Sequence, residues 1–244
     1  MRSRGATSTS TNTYKIVWNP WRRATDGNKR PIAVGDMAHN KQLFDTIDTA
    51  LIHSGKEEDG ERFMPANQLR GLLCENTVAD ALKPCKEALG ISKEEFERLT
   101  SYVCREAQKT FAILVWIGKD VFINQFCAAG FNDTILPVHR KSNTMARTDG
   151  CFSSIIDQAF ASWNNSDKDF FCTAEWQFLA PVFRKCVLKY DIPRQCPMPI
   201  LEKVTTSGHS TQFSEVEEWI MHRDHLDTDA VRPSGKVNSS ERAG

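Results

Sequence analysis

The chain has 244 residues, enough to bury one substantial core and too few for a second complete catalytic domain beside it. Lysine plus arginine total 31, as do aspartate plus glutamate, so the formal charge is zero and no global field draws the protein to nucleic acid or an anionic membrane. The longest apolar run, Phe111 to Ile117 within "FAILVWIG", is far shorter than the ~20 residues a membrane-crossing helix needs, so a soluble protein without membrane contact is expected. Residues 1–35 lack hydrophobic periodicity and, apart from Trp18 and Trp21, contain little to bury; they read as a disordered arm. From Asp36 the pattern turns helical. Phe44, Ile47, Leu51 and Ile52 predict a helix over about 37–53, closed by the glycine and charge cluster of "HSGKEEDG".

In "RFMPANQLRGLLCENTVADAL", Pro65 marks a helix start with Leu69, Leu72 and Leu73 on one face. Asn76 or Thr77 caps a further short helix carrying Val78 and Leu82, which Pro84 is expected to end or kink. Ser92 followed by Glu95 is a capping box. Behind it Phe96, Leu99, Val103, Ala107, Phe111 and Leu114 keep three- or four-residue spacing until Gly118, which predicts one continuous helix. Its last two turns are apolar on every side, so that end belongs in the middle of the bundle. Asp120 is expected to cap a helix through Phe122 and Phe126, and "VHRKSNTMARTDG" reads as a polar linker. The next two segments are rich in aromatics, and Phe152, Ile156, Phe160, Phe170, Trp176 and Phe178 are expected to seal the bundle before Pro181 leaves "VFRKCVLKY" extended or irregular. "PILEKVTT" and "FSEVEEWIM", with Gly208 and Ser210 between them, predict a β-hairpin. The remaining tail, 229–244, is polar.

Eight cysteines occur without a CxxC pair, which predicts reduced, mostly buried thiols in an intracellular, cytoplasmic protein rather than a zinc site or disulfide framework. The basic, hydroxyl-rich first residues, free of acid until Asp26, leave a mitochondrial presequence as the lesser alternative.

The chemical candidates are few. A kinase glycine-rich loop, GxGxxGxV, works because glycine lets the backbone approach the ATP phosphates. Aligned on Val216, its glycine positions are His209, Thr211 and Ser214, so no cofactor-binding loop is expected. His222-Arg223-Asp224 has the letters of a kinase catalytic loop but follows within a few residues of that degenerate loop, with no DFG behind it, and reads as a chance tripeptide. His222 and His225 are three apart and could join an aspartate on a metal, yet no third ligand is placed by spacing; solvent-exposed histidines are the expectation, with no metal and no catalytic residue.

Taken together, "RFMPANQLRGLLCENTVADAL", "AQKTFAILVWIGK", "ILPV" and above all "FFCTAEWQFLAPVF" resemble the helical region upstream of the kinase domain in fungal serine/threonine protein kinase-like proteins. In these, a stretch similar to "PILEKVTTSGHSTQFSEVEEWIMHRDHLDT" begins the kinase N-lobe. The resemblance covers about residues 37–228. It implies a mainly α chain: an irregular helical bundle over 36–192, a short C-terminal β-hairpin over 193–228 that resembles the start of a kinase N-lobe, and a disordered tail. The glycines are replaced, and neither a β3 lysine nor the catalytic and metal-binding loops can be identified. The function this implies is a non-catalytic binding or regulatory module with the kinase domain truncated; the alternative is a fragment of a kinase whose remaining domain is missing from this chain. A protein partner is expected at the aromatic-rich segment or the exposed hairpin edge, and no nucleic acid.

Overall fold

The computed structural model describes residues 13–18, 40–55, 61–184, 187, 189–204 and 215–227. It is mainly α, with eight α-helices among those residues and short strands gathered around them. Helix α1 (Lys41–Ala50) buries Leu43, Ile47 and Ala50 but is shorter than its periodicity predicts. Leu51 turns extended, and Ile52–His53 (β2) pairs antiparallel with Arg62–Phe63 (β3). Helix α2 (Gln68–Leu72) begins three residues after Pro65, and α3 runs from Glu75 to Leu89.

Pro84 does not end α3. It takes a donor away from the Asp80 carbonyl, and Asp80 and Lys83 are both exposed there, so water can satisfy the freed oxygen. The helix stops instead at Gly90, whose φ of 61° is the left-handed conformation glycine adopts without strain.

The capping box forms as predicted at the head of α4 (Lys93–Glu106). The Glu95 amide donates to Ser92 Oγ at 3.2 Å, and the Ser92 amide donates to the Glu95 carboxylate at 3.0 Å. Removing one half of such a pair leaves a helix-end amide without its protein acceptor. Ser92→Ala is therefore expected to cost about 1 kcal/mol in urea unfolding, with Glu95→Ala adding less than its separate effect because the two bonds are reciprocal.

The single helix expected over 92–118 is two. Ala107 (φ −134°, ψ 34°) breaks it, and α5 (Gln108–Trp116) follows directly. The break is held from a distance. Asp133 accepts from the Lys109 amide, the Thr110 amide and the Thr110 hydroxyl, each at 2.9 Å, while its own amide donates to the Glu106 carbonyl. One carboxylate thus satisfies the amides that a new helix N-terminus exposes.

Helix α5 is the centre of the bundle: Phe111 to Val115 are all at most 1% exposed, and α1, α2, α4 and α8 (Asn165–Ala174) pack on it. Lys119 leads into a 3-10 turn, Asp120–Phe122, and then α6 (Ile123–Ala129). Asp120 does not cap that helix. It is 1% exposed and accepts from the Asn40 side-chain amide, which also donates to the Ala81 carbonyl at 2.9 Å and so ties the start of α1 to α3. The segment read as a linker contains an antiparallel hairpin, β4 (His139–Lys141) with β5 (Thr144–Ala146), packed on α7 (Ser153–Ala159) and α8.

The aromatic seal is real, with two of its members corrected. Phe126, Phe131, Phe160, Trp163 and Phe171 form one cluster with ring centroids 4.9–6.5 Å apart, and Ile156 and Phe178 are also buried. Phe170 is 36% exposed because its neighbour Phe171 takes the inward position on α8. Phe152 is 45% exposed, precedes α7 at φ 60°, and lies under the Arg147 guanidinium.

The C-terminal hairpin forms from β7 (Ile200–Val204) and β8 (Glu215–Met221). Two expectations change here. Within the segment read as a disordered arm, Thr13–Trp18 (β1) pairs antiparallel with β8 along its length, from Thr13 opposite Ile220 to Trp18 opposite Glu215. "TYKIVW" is dense in β-branched and aromatic residues, a composition that favours a strand once an edge is offered. The sheet order is β1–β8–β7, so one of the two edges of the hairpin, that of β8, is occupied by β1.

Candidate functional site

The described residues with converging polar groups lie where the C-terminal strands meet the bundle. Phe63 and Met64, leaving β3, are buried, and the Met64 amide donates to the Gln177 carbonyl at 2.7 Å. Gln177 belongs to a 3-10 turn, Glu175–Phe178, at the end of α8. Beyond it the chain runs past Pro181 into β6 (Phe183–Arg184), which pairs in parallel with β9 (Leu226–Asp227). Between β8 and β9 lies the 3-10 turn Arg223–His225.

His225 closes this seam. Its Nδ1 faces the Pro181 carbonyl at 2.9 Å, and its Nε2 accepts from the Ala66 amide at 3.2 Å. The ring is 1% exposed and meets the edge of Phe63 at 5.3 Å between centroids. Burial, the largest influence, pushes its pKa below the usual imidazole range; the Pro181 carbonyl works against it. The expectation that both histidines face solvent is corrected: His222 is half-buried, also against Phe63, with Nδ1 accepting from the Asp224 amide at 3.3 Å. A cavity of about 60 Å³ beside His225 is lined by Met64, Leu69, Lys109 and Phe178 among others. The start of β7 is fastened separately. Ser54 Oγ donates to the Met198 carbonyl at 2.6 Å, and the Gly55 amide donates to the Ile200 carbonyl at 2.8 Å.

Glu175 lies at the head of the same 3-10 turn and is 0% exposed. Its Oε2 accepts from the Val138 amide at 3.1 Å, while Oε1 has no hydrogen-bond partner. Burial pushes its pKa up to about 9, with the Val138 bond opposing, so the group is a neutral acid at physiological pH. The nearby Cys172 thiol is likewise pushed up to about 12, first by burial and then by Glu175, which makes it an inert thiol.

The remaining sequence candidates do not converge. His209, Thr211 and Ser214 lie outside the described residues, whereas Val216 falls in β8 opposite Val17. Asp224 and Arg223 sit in the turn after β8. Among the described residues no group of three or more His, Cys, Asp or Glu is arranged to hold a metal ion, and no helix is long and apolar enough to cross a membrane. A concavity of about 440 Å³ between α1 and α2 is open and lined by Gln42, Asp45, Thr46, Thr49, Gln68 and Leu72 among others. Both His225 nitrogens face backbone groups, so this ring joins the turn after β8 to the loops at Ala66 and Pro181.

Glu175 and His225 are buried groups that the sequence does not identify as such. A lone acid inside the aromatic run "CTAEWQFLA" was the available signal for the first; the second has none, because its partners are backbone atoms 159 and 44 residues away.

No family model matches the chain, and no curated protein or solved structure matches it.

Proposed function

We propose that the protein is a non-catalytic helical binding or regulatory module, of the kind that lies upstream of the kinase domain in fungal serine/threonine protein kinase-like proteins, and that its bundle serves as a platform for the C-terminal strands. The observation that carries this reading is the His225 seam: the segment resembling the first strands of a kinase N-lobe is fastened to the bundle by a fully buried side chain with both ring nitrogens engaged. A strand pair that was an incidental remnant would have no need of such an anchor. The chemistry of the loop sequence agrees, because His209, Thr211 and Ser214 each carry a Cβ where close approach to a triphosphate needs glycine. The partner in this reading is a protein, and Phe152 and Phe170 are the exposed aromatics of the segment from which such contacts start.

Isothermal calorimetry with ATP and magnesium tests the non-catalytic reading. No binding heat is expected up to millimolar nucleotide. Magnesium-dependent affinity tighter than about 100 µM, worth more than about 5 kcal/mol, would overturn it in favour of a kinase fragment.

A further inference from the structure

The His225 ring can hold only one charge state where it sits. A carbonyl only accepts and a backbone amide only donates, so the contacts to Pro181 and Ala66 require a proton on Nδ1 and a free lone pair on Nε2. The imidazolium would set N–H against N–H at the Ala66 contact, and at 1% exposure no solvent can take the amide over. We propose that His225 is a proton-operated latch: neutral, it clamps the 222–227 turn between the loops at Met64–Ala66 and Leu179–Phe183; protonated, it lets that turn come away from the bundle. The inference concerns regulation of the seam and stands on its geometry, independently of whether nucleotide binds.

The charged and titratable groups around the ring decide the direction. From its own turn come His222, with ring centroids 6.0 Å apart, and Asp224. From α5, Lys109 lines the same small cavity. The adjacent β6–β9 pair carries the exposed Arg184–Asp227 ion pair at 3.8 Å. Phe63 presents an uncharged ring edge, and the loops holding Ala66 and Pro181 contribute backbone groups. Burial, the largest influence, and His222 oppose a charged ring, whereas the Pro181 and Met64 carbonyls and Asp224 favour it. The opening is local, because the bonds from Ser54 and Gly55 to the start of β7 involve no titrating group. The start of β7 and the 222–227 turn lie at the same end of the hairpin, where Ile200 pairs with Met221 and the His222 amide donates to the Pro199 carbonyl at 2.8 Å, so His222 is the pivot from which residues 223–227 come away.

The experiment is an NMR titration of the isotopically labelled full chain from about pH 7.5 to about pH 4.5, following the His225 ring-nitrogen shifts and the hydrogen exchange of the Ala66 amide, with the Ile113 amide in α5 as the control. As the ring protonates, with a midpoint below the usual imidazole value, the Ala66 amide should lose at least about 10-fold in protection after correction for intrinsic exchange, while Ile113 is unchanged. His225→Gln should abolish the pH dependence at Ala66. The proposal is overturned if the ring protonates while Ala66 stays protected, if Ala66 and Ile113 lose protection together, or if the variant keeps the wild-type pH dependence. Should the variant not fold, the coincidence or separation of the two wild-type curves decides alone. Nucleotide calorimetry shares no readout with this titration, so either result can fail without the other.

Discussion

Phe126→Ala is expected to destabilise the protein by about 3–5 kcal/mol, a large part of the 5–15 kcal/mol that holds a typical domain folded. Phe126 is 0% exposed and sits at the centre of the aromatic cluster, 4.9 Å from Phe131, 5.0 Å from Phe160, 5.8 Å from Trp163 and 5.9 Å from Phe171 by ring centroid. Those neighbours come from α8 and from the turns after α6 and α7, so they cannot all close on the cavity at once; the loss includes cavity cost as well as lost transfer energy. The control is Phe170→Ala on α8, where the ring is 36% exposed and the loss should stay below about 1 kcal/mol. Urea unfolding of both variants, followed by circular dichroism, checks the pair. Similar losses would mean that Phe170 and Phe171 have exchanged roles and that the inward face of α8 is not the one described.

That comparison also marks how far local sequence could lead. Period-3.6 spacing identifies Leu99, Val103, Phe111 and Leu114 as core, and all four are at most 2% exposed. The Ser92–Glu95 box is complete within four residues, and the β7–β8 hairpin joins two strands that follow each other in sequence. What the spacing could not reveal is the break at Ala107. An apolar stripe continues through it without change of phase, and its cause is a carboxylate 26 residues further on, at Asp133. Pro84 illustrates the opposite case: of the two outcomes expected, an end or a kink, the end does not occur, because the freed carbonyl meets water.

The seam and the sheet were hidden for the same reason. His225 was read by its polarity and its neighbours in sequence, whereas its environment consists of backbone atoms supplied by residues 66 and 181. Thr13–Trp18 is a good strand former inside a polar stretch, and a strand former has no signal of its own until another strand offers it an edge. The polar segment "HRKSNTMA" contains a hairpin whose Met145 alone is buried among the residues of β5, too little alternation for the sequence to register. For the seam and the three-stranded sheet, long-range pairing with no local period decides the structure.

Glu175→Gln should stabilise the protein, and the gain should grow with pH. In the folded chain the Glu175 proton is held up to about pH 9, whereas in the unfolded chain the carboxyl ionises near its ordinary value of 4.5. The native state therefore binds the extra proton between these limits. Its contribution to stability is fully present below about pH 4.5 and is lost as pH rises towards 9. Glutamine keeps the acceptor for the Val138 amide and the same buried volume but cannot ionise when the chain unfolds. The two proteins should melt together near pH 4.5 and separate steadily above it, by about 1.4 kcal/mol per pH unit, with the variant ahead by up to about 4–5 kcal/mol at pH 8. Glu175→Met separates the two roles of the side chain: it also removes the ionisation but strands the Val138 amide, so its advantage over wild type should be smaller by about 1 kcal/mol at every pH. Parallel wild-type and glutamine curves from pH 4.5 to pH 8 would mean that the carboxyl ionises in the native state, and the buried neutral acid at the head of the 175–178 turn would have to be abandoned.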